Sequence, residues 1–137
     1  MDTTVRAHDL RFELYMDESQ ILRRVQELGD VIKDQYTEQQ PLFLPVLNGA
    51  FVFAADLLRA LRGMECDISF IKLASYQGTQ SSGKVSTLIG LDQDIKGKDV
   101  VIVEDIVDSG KTISDLIQTL EQQEPASIKV ATLLLKP

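Results

Sequence analysis

The sequence predicts an α/β fold in which helices flank a mainly parallel sheet. Apolar runs of strand length, such as residues 42–47 and 99–103, alternate along the chain with segments whose apolar residues recur at helical spacing. These runs are nearly continuous, which is typical of strands buried on both faces. Short polar turns separate strands from the helices that follow them. This alternation is the pattern of parallel strands joined by helical crossovers.

The composition fits one small domain over residues 1–137. Hydrophobic residues make up 44% of the chain, which is enough for a core and excludes disorder as the main state. Fourteen basic residues against twenty-one acidic ones give a net charge of −7. This surface repels nucleic acid and anionic membranes, so we expect neither as a partner. A phosphate ligand must therefore bind in a local site.

Neither Cys66 nor His8 is predicted to be catalytic. Cys66 is flanked by Glu65 and Asp67, whose carboxylates oppose thiolate formation. His8 is the only histidine, and no second ligand type is spaced with it for a metal. A single cysteine cannot form an internal disulfide, and the chain starts without a basic and then apolar leader. We therefore expect a reducing, cytoplasmic setting.

The first elements follow from local patterns. Residues 10–15 alternate between apolar and polar types, which predicts a short edge strand or an arm. Apolar residues then fall at helical spacing from Asp17 onward. Asp17 and Gln20 have the form of a capping box, so a helix should run from there to near Tyr36.

The middle of the chain predicts a strand, a tight turn and a helix. Residues 42–47 are the strand, Asn48-Gly49-Ala50 is the turn, and residues 51–62 carry an apolar stripe at helical spacing. A second strand follows over residues 67–73. The stretch 74–84 is dense in Ser, Gly, Gln and Thr, which predicts a mobile loop.

The last part of the chain repeats this order. Residues 85–89 are predicted as a return strand and residues 99–103 as a buried strand. Residues 109–122 are predicted as a helix, and residues 128–135 as another buried strand. Pro125 separates these last two elements.

Carboxylates follow the buried strand at residues 99–103. Glu104 and Asp105 come directly after it, at the position where open α/β sheets bind ligands. Such a pair accepts hydrogen bonds from ribose hydroxyls or holds a hard cation such as Mg²⁺. Asp108 lies closer to the next helix and is free for another role. This donor set suits a sugar phosphate.

The turn before that helix predicts a phosphate cradle. Its backbone N–H groups, the hydroxyls of Ser109 and Thr112 and the positive helix end all favour an anion. Gly110-Lys111-Thr112 matches the end of a nucleotide-triphosphate P-loop, but that motif requires a glycine where Asp105 stands. A carboxylate there would repel phosphates, so the sequence argues against a P-loop.

Residues 101–113 resemble the signature of the type I phosphoribosyltransferases: an apolar strand, Glu-Asp, two apolar residues, Asp-Ser-Gly and a helix start. More narrowly, the chain is similar to bacterial hypoxanthine phosphoribosyltransferases, because Leu47-Asn48-Gly49-Ala50, Ser75-Tyr76 and Lys136 occur in the expected order. The resemblance covers nearly the whole chain. It implies a Rossmann-like core and a purine salvage enzyme that transfers 5-phosphoribosyl from phosphoribosyl pyrophosphate to N9 of hypoxanthine or guanine.

The resemblance also implies roles for the acidic segment. Glu104 and Asp105 would hold the ribose hydroxyls and Mg²⁺, the expected cofactor. Asp108 would exchange a proton with purine N7, and a carboxylate there can stabilise a cationic ribose. The 5-phosphate cradle would comprise Asp108, Ser109, Gly110, Lys111 and Thr112.

Three further segments match the family. Leu47-Asn48-Gly49 matches the pyrophosphate loop, where the family often has Lys or Arg in place of Asn48 and a cis peptide bond before it. Ser75 and Tyr76 match the start of a flexible loop that closes over the site. Lys136 matches a lysine that donates a hydrogen bond to the 6-oxo group, which favours hypoxanthine or guanine over adenine.

Two alternatives remain open. One is a nucleotide-binding regulator of the same fold, as in the RNA-binding attenuators of pyrimidine operons, although no Lys/Arg cluster supplies an RNA surface. The other is a truncated, inactive fragment. Chains of this family continue past the position of Lys136 with a hood segment, which we expect to be absent here. Relatives of this kind are usually dimers or tetramers, so the resemblance implies a homodimer or homotetramer.

Overall fold

The computed structural model describes residues 4–75 and 86–137. Its first elements are β1 (Thr4–Ala7), β2 (Leu10–Glu13), α1 (Glu18–Gln35), β3 (Leu42–Leu47), α2 (Phe51–Ala60) and β4 (Asp67–Ile68). They are followed by β5 (Ile71–Ser75), β6 (Ser86–Ile89), β7 (Asp99–Val107), α3 (Lys111–Glu121) and β8 (Ser127–Leu135). None of the described helices is long and apolar enough to cross a membrane.

A six-stranded sheet forms the centre of the fold, with the order β6-β5-β3-β7-β8 and with β4 also paired to β3. Strand β3 pairs in parallel with β4, β5 and β7, and β7 pairs in parallel with β8. Only β6 is antiparallel in this described sheet, where it returns alongside β5. The predicted α/β architecture with a mainly parallel sheet is confirmed.

Helices cover both faces of the sheet. On one face α1 and α2 pack with Phe43 and Val101, and on the other face α3 packs with Leu44 and Ile102. Neighbouring residues of a strand point to opposite faces, so each strand needs apolar residues at consecutive positions to fill both layers. This requirement explains the continuous apolar runs in the sequence.

Local signals place α1 where the sequence predicts it. Gln20 N donates to Asp17 Oδ1 (2.8 Å) and Asp17 N donates to Gln20 Oε1 (3.0 Å), which forms the capping box. Tyr36 caps the other end. At Gly29 a Cβ atom would lie 2.8 Å from Ala60 Cβ, so glycine permits the close approach of α1 to α2.

Pro45 divides the strand predicted over residues 67–73 into β4 and β5. The register with β3 is the same on both sides of the break, because Phe43 pairs with Ile68 and Val46 with Ile71. Proline has no N–H to donate, so the hydrogen-bond ladder is interrupted opposite it.

The N-terminal segment forms a hairpin outside the main sheet. The sequence predicted one strand or arm over residues 10–15, whereas the structure pairs β1 with β2 in antiparallel register. Val5 pairs with Phe12, and both side chains are exposed. The prediction therefore covers β2 but not its partner β1.

Candidate active site

The carboxyl ends of β3, β7 and β8 bring most of the predicted site residues to one edge of the sheet. All three strands are parallel, so the segments that follow them leave the sheet at the same edge. Ligands of open α/β sheets bind at this edge. The site therefore has three parts: the turn after β3, the acidic end of β7 with the turn that follows, and the end of β8.

Glu104 and Asp105 lie inside β7, not after it. The sequence placed the end of this strand at Val103, but β7 continues to Val107 because β8 stays paired with it up to Leu135. Burial, and the neighbouring Asp105 side chain, raise the pKa of Glu104 to about 7. Two neighbouring half-buried carboxylates have the chemistry that cations and hydroxyl donors require of a ligand.

The turn after β3 lies directly against Asp105. A Cβ atom at Gly49 would be 3.0 Å from both carboxylate oxygens of Asp105, so only glycine leaves that carboxylate its present place. The peptide bond between Leu47 and Asn48 is cis, as the resemblance predicts. The sequence did not predict the contact between Gly49 and Asp105, because it depends on β3 and β7 being neighbours in the sheet.

The turn between β7 and α3 contains the residues predicted to form a phosphate cradle. Gly110 adopts φ 81°, in the left-handed region that favours glycine, and it caps α3. The helix begins at Lys111, two residues later than predicted, because this glycine breaks the helical path. Lys111 N donates weakly to Ser109 Oγ (3.4 Å). The first N–H groups of a helix lack partners within the helix, so those of α3 are directed at the turn.

Asp108 and Lys136 meet at the carboxyl ends of β7 and β8. Lys136 Nζ lies 3.3 Å from Asp108 Oδ1, and both side chains are exposed. Lys136 N also donates to Val107 O (2.9 Å), which fixes the lysine backbone beside the end of β7. The site therefore presents a cation and a carboxylate oxygen side by side.

The remaining candidates lie elsewhere. Ser75 is the last residue of β5, and Tyr76 lies outside the described residues. Cys66 precedes β4 at the opposite edge of the sheet, where burial, and then Asp67, raise the pKa of its thiol. His8 lies in the turn of the N-terminal hairpin. Within residues 4–75 and 86–137, no group of three or more His, Cys, Asp or Glu side chains is arranged to hold a metal ion.

Comparison with known proteins decides the family. A model of the phosphoribosyl transferase domain matches residues 14–137, which includes every part of this site. The chain belongs to the phosphoribosyltransferase family. It is 46% identical over 125 residues to a hypoxanthine-guanine phosphoribosyltransferase of Mycobacterium avium, covering 86% of this chain and 61% of that protein. It is 37% identical to the enzyme of that name from Bacillus subtilis, covering 95% of this chain and 72% of that protein.

Solved phosphoribosyltransferase structures share the fold. A hypoxanthine-guanine phosphoribosyltransferase of Bacillus anthracis superposes with a TM-score of 0.82 at 36% identity, covering 92% of this chain and 75% of that one. A hypoxanthine phosphoribosyltransferase of Trypanosoma cruzi, solved in complex with its product IMP, has a TM-score of 0.79 at 31% identity. The match covers 96% of this chain and 66% of that one. The chain thus spans about two thirds of the length of these relatives.

Proposed function

We propose that this chain is the core domain of a purine salvage enzyme. It transfers the 5-phosphoribosyl group of phosphoribosyl pyrophosphate to N9 of hypoxanthine, and of guanine, to give IMP or GMP and pyrophosphate. The relatives named for this activity and the placement of the acids, the cradle and the lysine at one edge of the sheet support the proposal.

The observation that carries the choice of base is the distance of 3.3 Å between Lys136 Nζ and Asp108 Oδ1. An exposed ion pair adds little to the stability of the fold. What bears on base recognition is that the two charged groups lie next to each other. A 6-oxopurine presents the O6 acceptor beside N7. An ammonium suits O6, and a neighbouring carboxylate suits a proton on N7. Adenine would instead direct amino hydrogens at the ammonium of Lys136.

The transfer needs a proton acceptor at N7. The bond between ribose C1 and the pyrophosphate oxygen breaks, and the leaving pyrophosphate takes the electron pair. The bond between C1 and purine N9 forms, and the N7 proton passes to the Asp108 carboxylate. The same carboxylate would also stabilise positive charge that develops on the ribose.

The turn after β7 is the proposed 5-phosphate site. Its ligands would be the backbone N–H groups at the start of α3, the Ser109 and Thr112 hydroxyls and the ammonium of Lys111. Lys111 Nζ lies 3.8 Å from Asp115 Oδ2 on an exposed helix face, so it can move to a phosphate at small cost.

Glu104 and Asp105 are the proposed ribose and Mg²⁺ ligands. The residues fit this cation, because Mg²⁺ is usually held by one or two carboxylates together with substrate oxygens. Gly49 leaves room for the Asp105 carboxylate beside the proposed pyrophosphate loop. When bound, Mg²⁺ would neutralise the pyrophosphate. Glu104 and Asp105 orient the ribose through its hydroxyls.

Purified protein with Mg²⁺, phosphoribosyl pyrophosphate and hypoxanthine should form IMP. Calorimetry with IMP and with phosphoribosyl pyrophosphate distinguishes an enzyme from an inactive fragment. Binding of both ligands with turnover supports the proposal, whereas donor binding with neither IMP binding nor turnover would contradict it. Sedimentation at several protein concentrations tests the expected dimer or tetramer.

A further inference from the structure

The proposed pyrophosphate loop has no positive charge of its own. Its residues after β3, Asn48-Gly49-Ala50, are all uncharged. The flanking strands β3 and β7 contain no Lys or Arg, and β7 adds Glu104 and Asp105. Pyrophosphate is a polyanion, and carboxylates close to it oppose its binding. A cation from another element would offset this repulsion.

Lys72 is the cation that the sheet places beside this loop. In the parallel register of β3 and β5, Lys72 pairs with Leu47, the residue from which the loop begins. Paired residues of neighbouring strands lie about 5 Å apart. Across β3, β5 and β7, Lys72 is the only Lys or Arg.

Lys72 lies on the face of the sheet toward which the loop turns. Its neighbours Ile71 and Leu73 pack with the α3 cluster on the other face. Side chains alternate along a strand, so Lys72 is directed to the face covered by α1 and α2. The loop leads directly into α2 on that face. The loop and Lys72 therefore share one corner of the sheet.

Lys72 is also free to bind a ligand. Two other lysines near this edge are in ion pairs, Lys111 with Asp115 and Lys136 with Asp108. Among residues 4–75 and 86–137, no carboxylate lies within ion-pair distance of Lys72, and its side chain is exposed. A lysine is a flexible point charge that can follow a phosphate group.

We infer that Lys72 binds the pyrophosphate of phosphoribosyl pyrophosphate and supplies the charge that Asn48 lacks. This inference rests on the proposed function, since it assigns the leaving-group end of that substrate. Lys72 would donate to pyrophosphate oxygens from the β5 side while the backbone of the loop donates from the β3 side. It would have no contact with the purine or the 5-phosphate.

The test compares Lys72→Gln with Lys96→Gln. Each variant removes one positive charge, but Lys96 is exposed at the opposite edge, where it pairs with Glu124 (3.6 Å). Lys72→Gln should raise the inhibition constant of pyrophosphate and the KM for phosphoribosyl pyrophosphate about tenfold. It should leave the Kd for IMP and the KM for hypoxanthine unchanged. Lys96→Gln should change none of these quantities.

A second variant tests the compensation between the two positions. Asn48→Lys in the Lys72→Gln background should restore pyrophosphate affinity. Calorimetry with pyrophosphate and Mg²⁺ needs no turnover, so it decides the role of Lys72 even if no IMP forms and the proposed function fails. Pyrophosphate affinity within twofold of wild type in Lys72→Gln, or an equal loss in Lys96→Gln, would overturn the inference.

Discussion

Gly49 and Asp105 are in contact across the neighbouring strands β3 and β7. A Cβ atom at Gly49 would lie 3.0 Å from both carboxylate oxygens of Asp105. This contact joins the proposed pyrophosphate loop to the proposed ribose and Mg²⁺ ligands. Under the proposed function, one continuous surface would bind both halves of the donor substrate. A substitution at Gly49 should therefore also affect the ligands on β7.

Gly49→Ala should displace the Asp105 carboxylate by a few tenths of an ångström. We expect the KM for phosphoribosyl pyrophosphate to rise about threefold to tenfold, with little change in the unfolding temperature, because the crowded group is the far end of a flexible, half-buried side chain. Gly29→Ala is the matched control. It crowds Ala60 between two helices and should lower the unfolding temperature instead. A loss of stability without a change in KM for Gly49→Ala would contradict this account.

Asp108→Asn should lower kcat, because an amide cannot accept the N7 proton. The expected loss is about a hundredfold, which is the lower end of what general base catalysis contributes. Binding of IMP and of phosphoribosyl pyrophosphate, measured by calorimetry, should persist. Asp56→Asn is the control, since the half-buried Asp56 pairs with Arg59 on α2 (3.6 Å) and is not among the proposed site residues. Turnover equal to wild type in Asp108→Asn would remove this residue from the proton transfer.

Lys136→Gln should weaken hypoxanthine binding about tenfold, because a hydrogen bond to a charged donor is lost. The KM for hypoxanthine should rise, and discrimination against adenine should fall. The inhibition constant of pyrophosphate should not change, since Lys136 lies at the end of β8, away from the loop after β3. An unchanged hypoxanthine KM would show that another group recognises O6.

Glu104 should make the free energy of unfolding depend on pH. Its pKa is about 7 in the folded protein against an ordinary value of 4.5, so the folded state holds this proton more tightly. The stabilisation is complete below pH 4.5 and is lost as the pH rises through 7. Solvent screening at this half-buried position limits the change to about 1 to 2 kcal/mol.

Chemical denaturation in metal-free buffer at pH 5 and pH 8 measures this loss. Glu104→Gln cannot titrate, so it should lose less stability between the two pH values than the wild type. An identical loss in both proteins would show that other groups cause the pH dependence.

The sequence predicted correctly those elements whose bounds depend on residues close together in the chain. The capping box of Asp17 and Gln20 set the start of α1 to within one residue, because its hydrogen bonds join residues three apart. The apolar run at residues 42–47 coincides with β3. Its length and continuity reflect burial on both faces of the sheet.

The strand bounds that were predicted wrongly depend on pairing between strands. The apolar pattern stops at Val103, but β7 continues to Val107 because backbone pairing with β8 does not require apolar side chains. The break between β4 and β5 depends on a proline in the neighbouring strand, which the sequence of residues 67–73 does not contain. The hairpin formed by β1 and β2 was only half predicted.

In the candidate site, too, consecutive residues were predicted from the sequence, whereas contacts between strands were not. The segment 104–112 was found as a unit, since its residues are consecutive. Lys136 was assigned by resemblance alone, and its distance of 3.3 Å from Asp108 required the paired ends of β7 and β8. Lys72 gave no signal in the sequence, because only the register with β3 places it beside the loop.

Under the proposed function, Asp108 and Lys136 together select a 6-oxopurine as the acceptor of the phosphoribosyl group. The most direct measurement is nucleotide formation by the wild-type protein with hypoxanthine, guanine, xanthine and adenine, each at equal concentration with phosphoribosyl pyrophosphate and Mg²⁺. IMP and GMP should form, with kcat/KM for hypoxanthine at least about a hundredfold above that for adenine. Formation of AMP at a comparable rate, or of no nucleotide from any base, would contradict it.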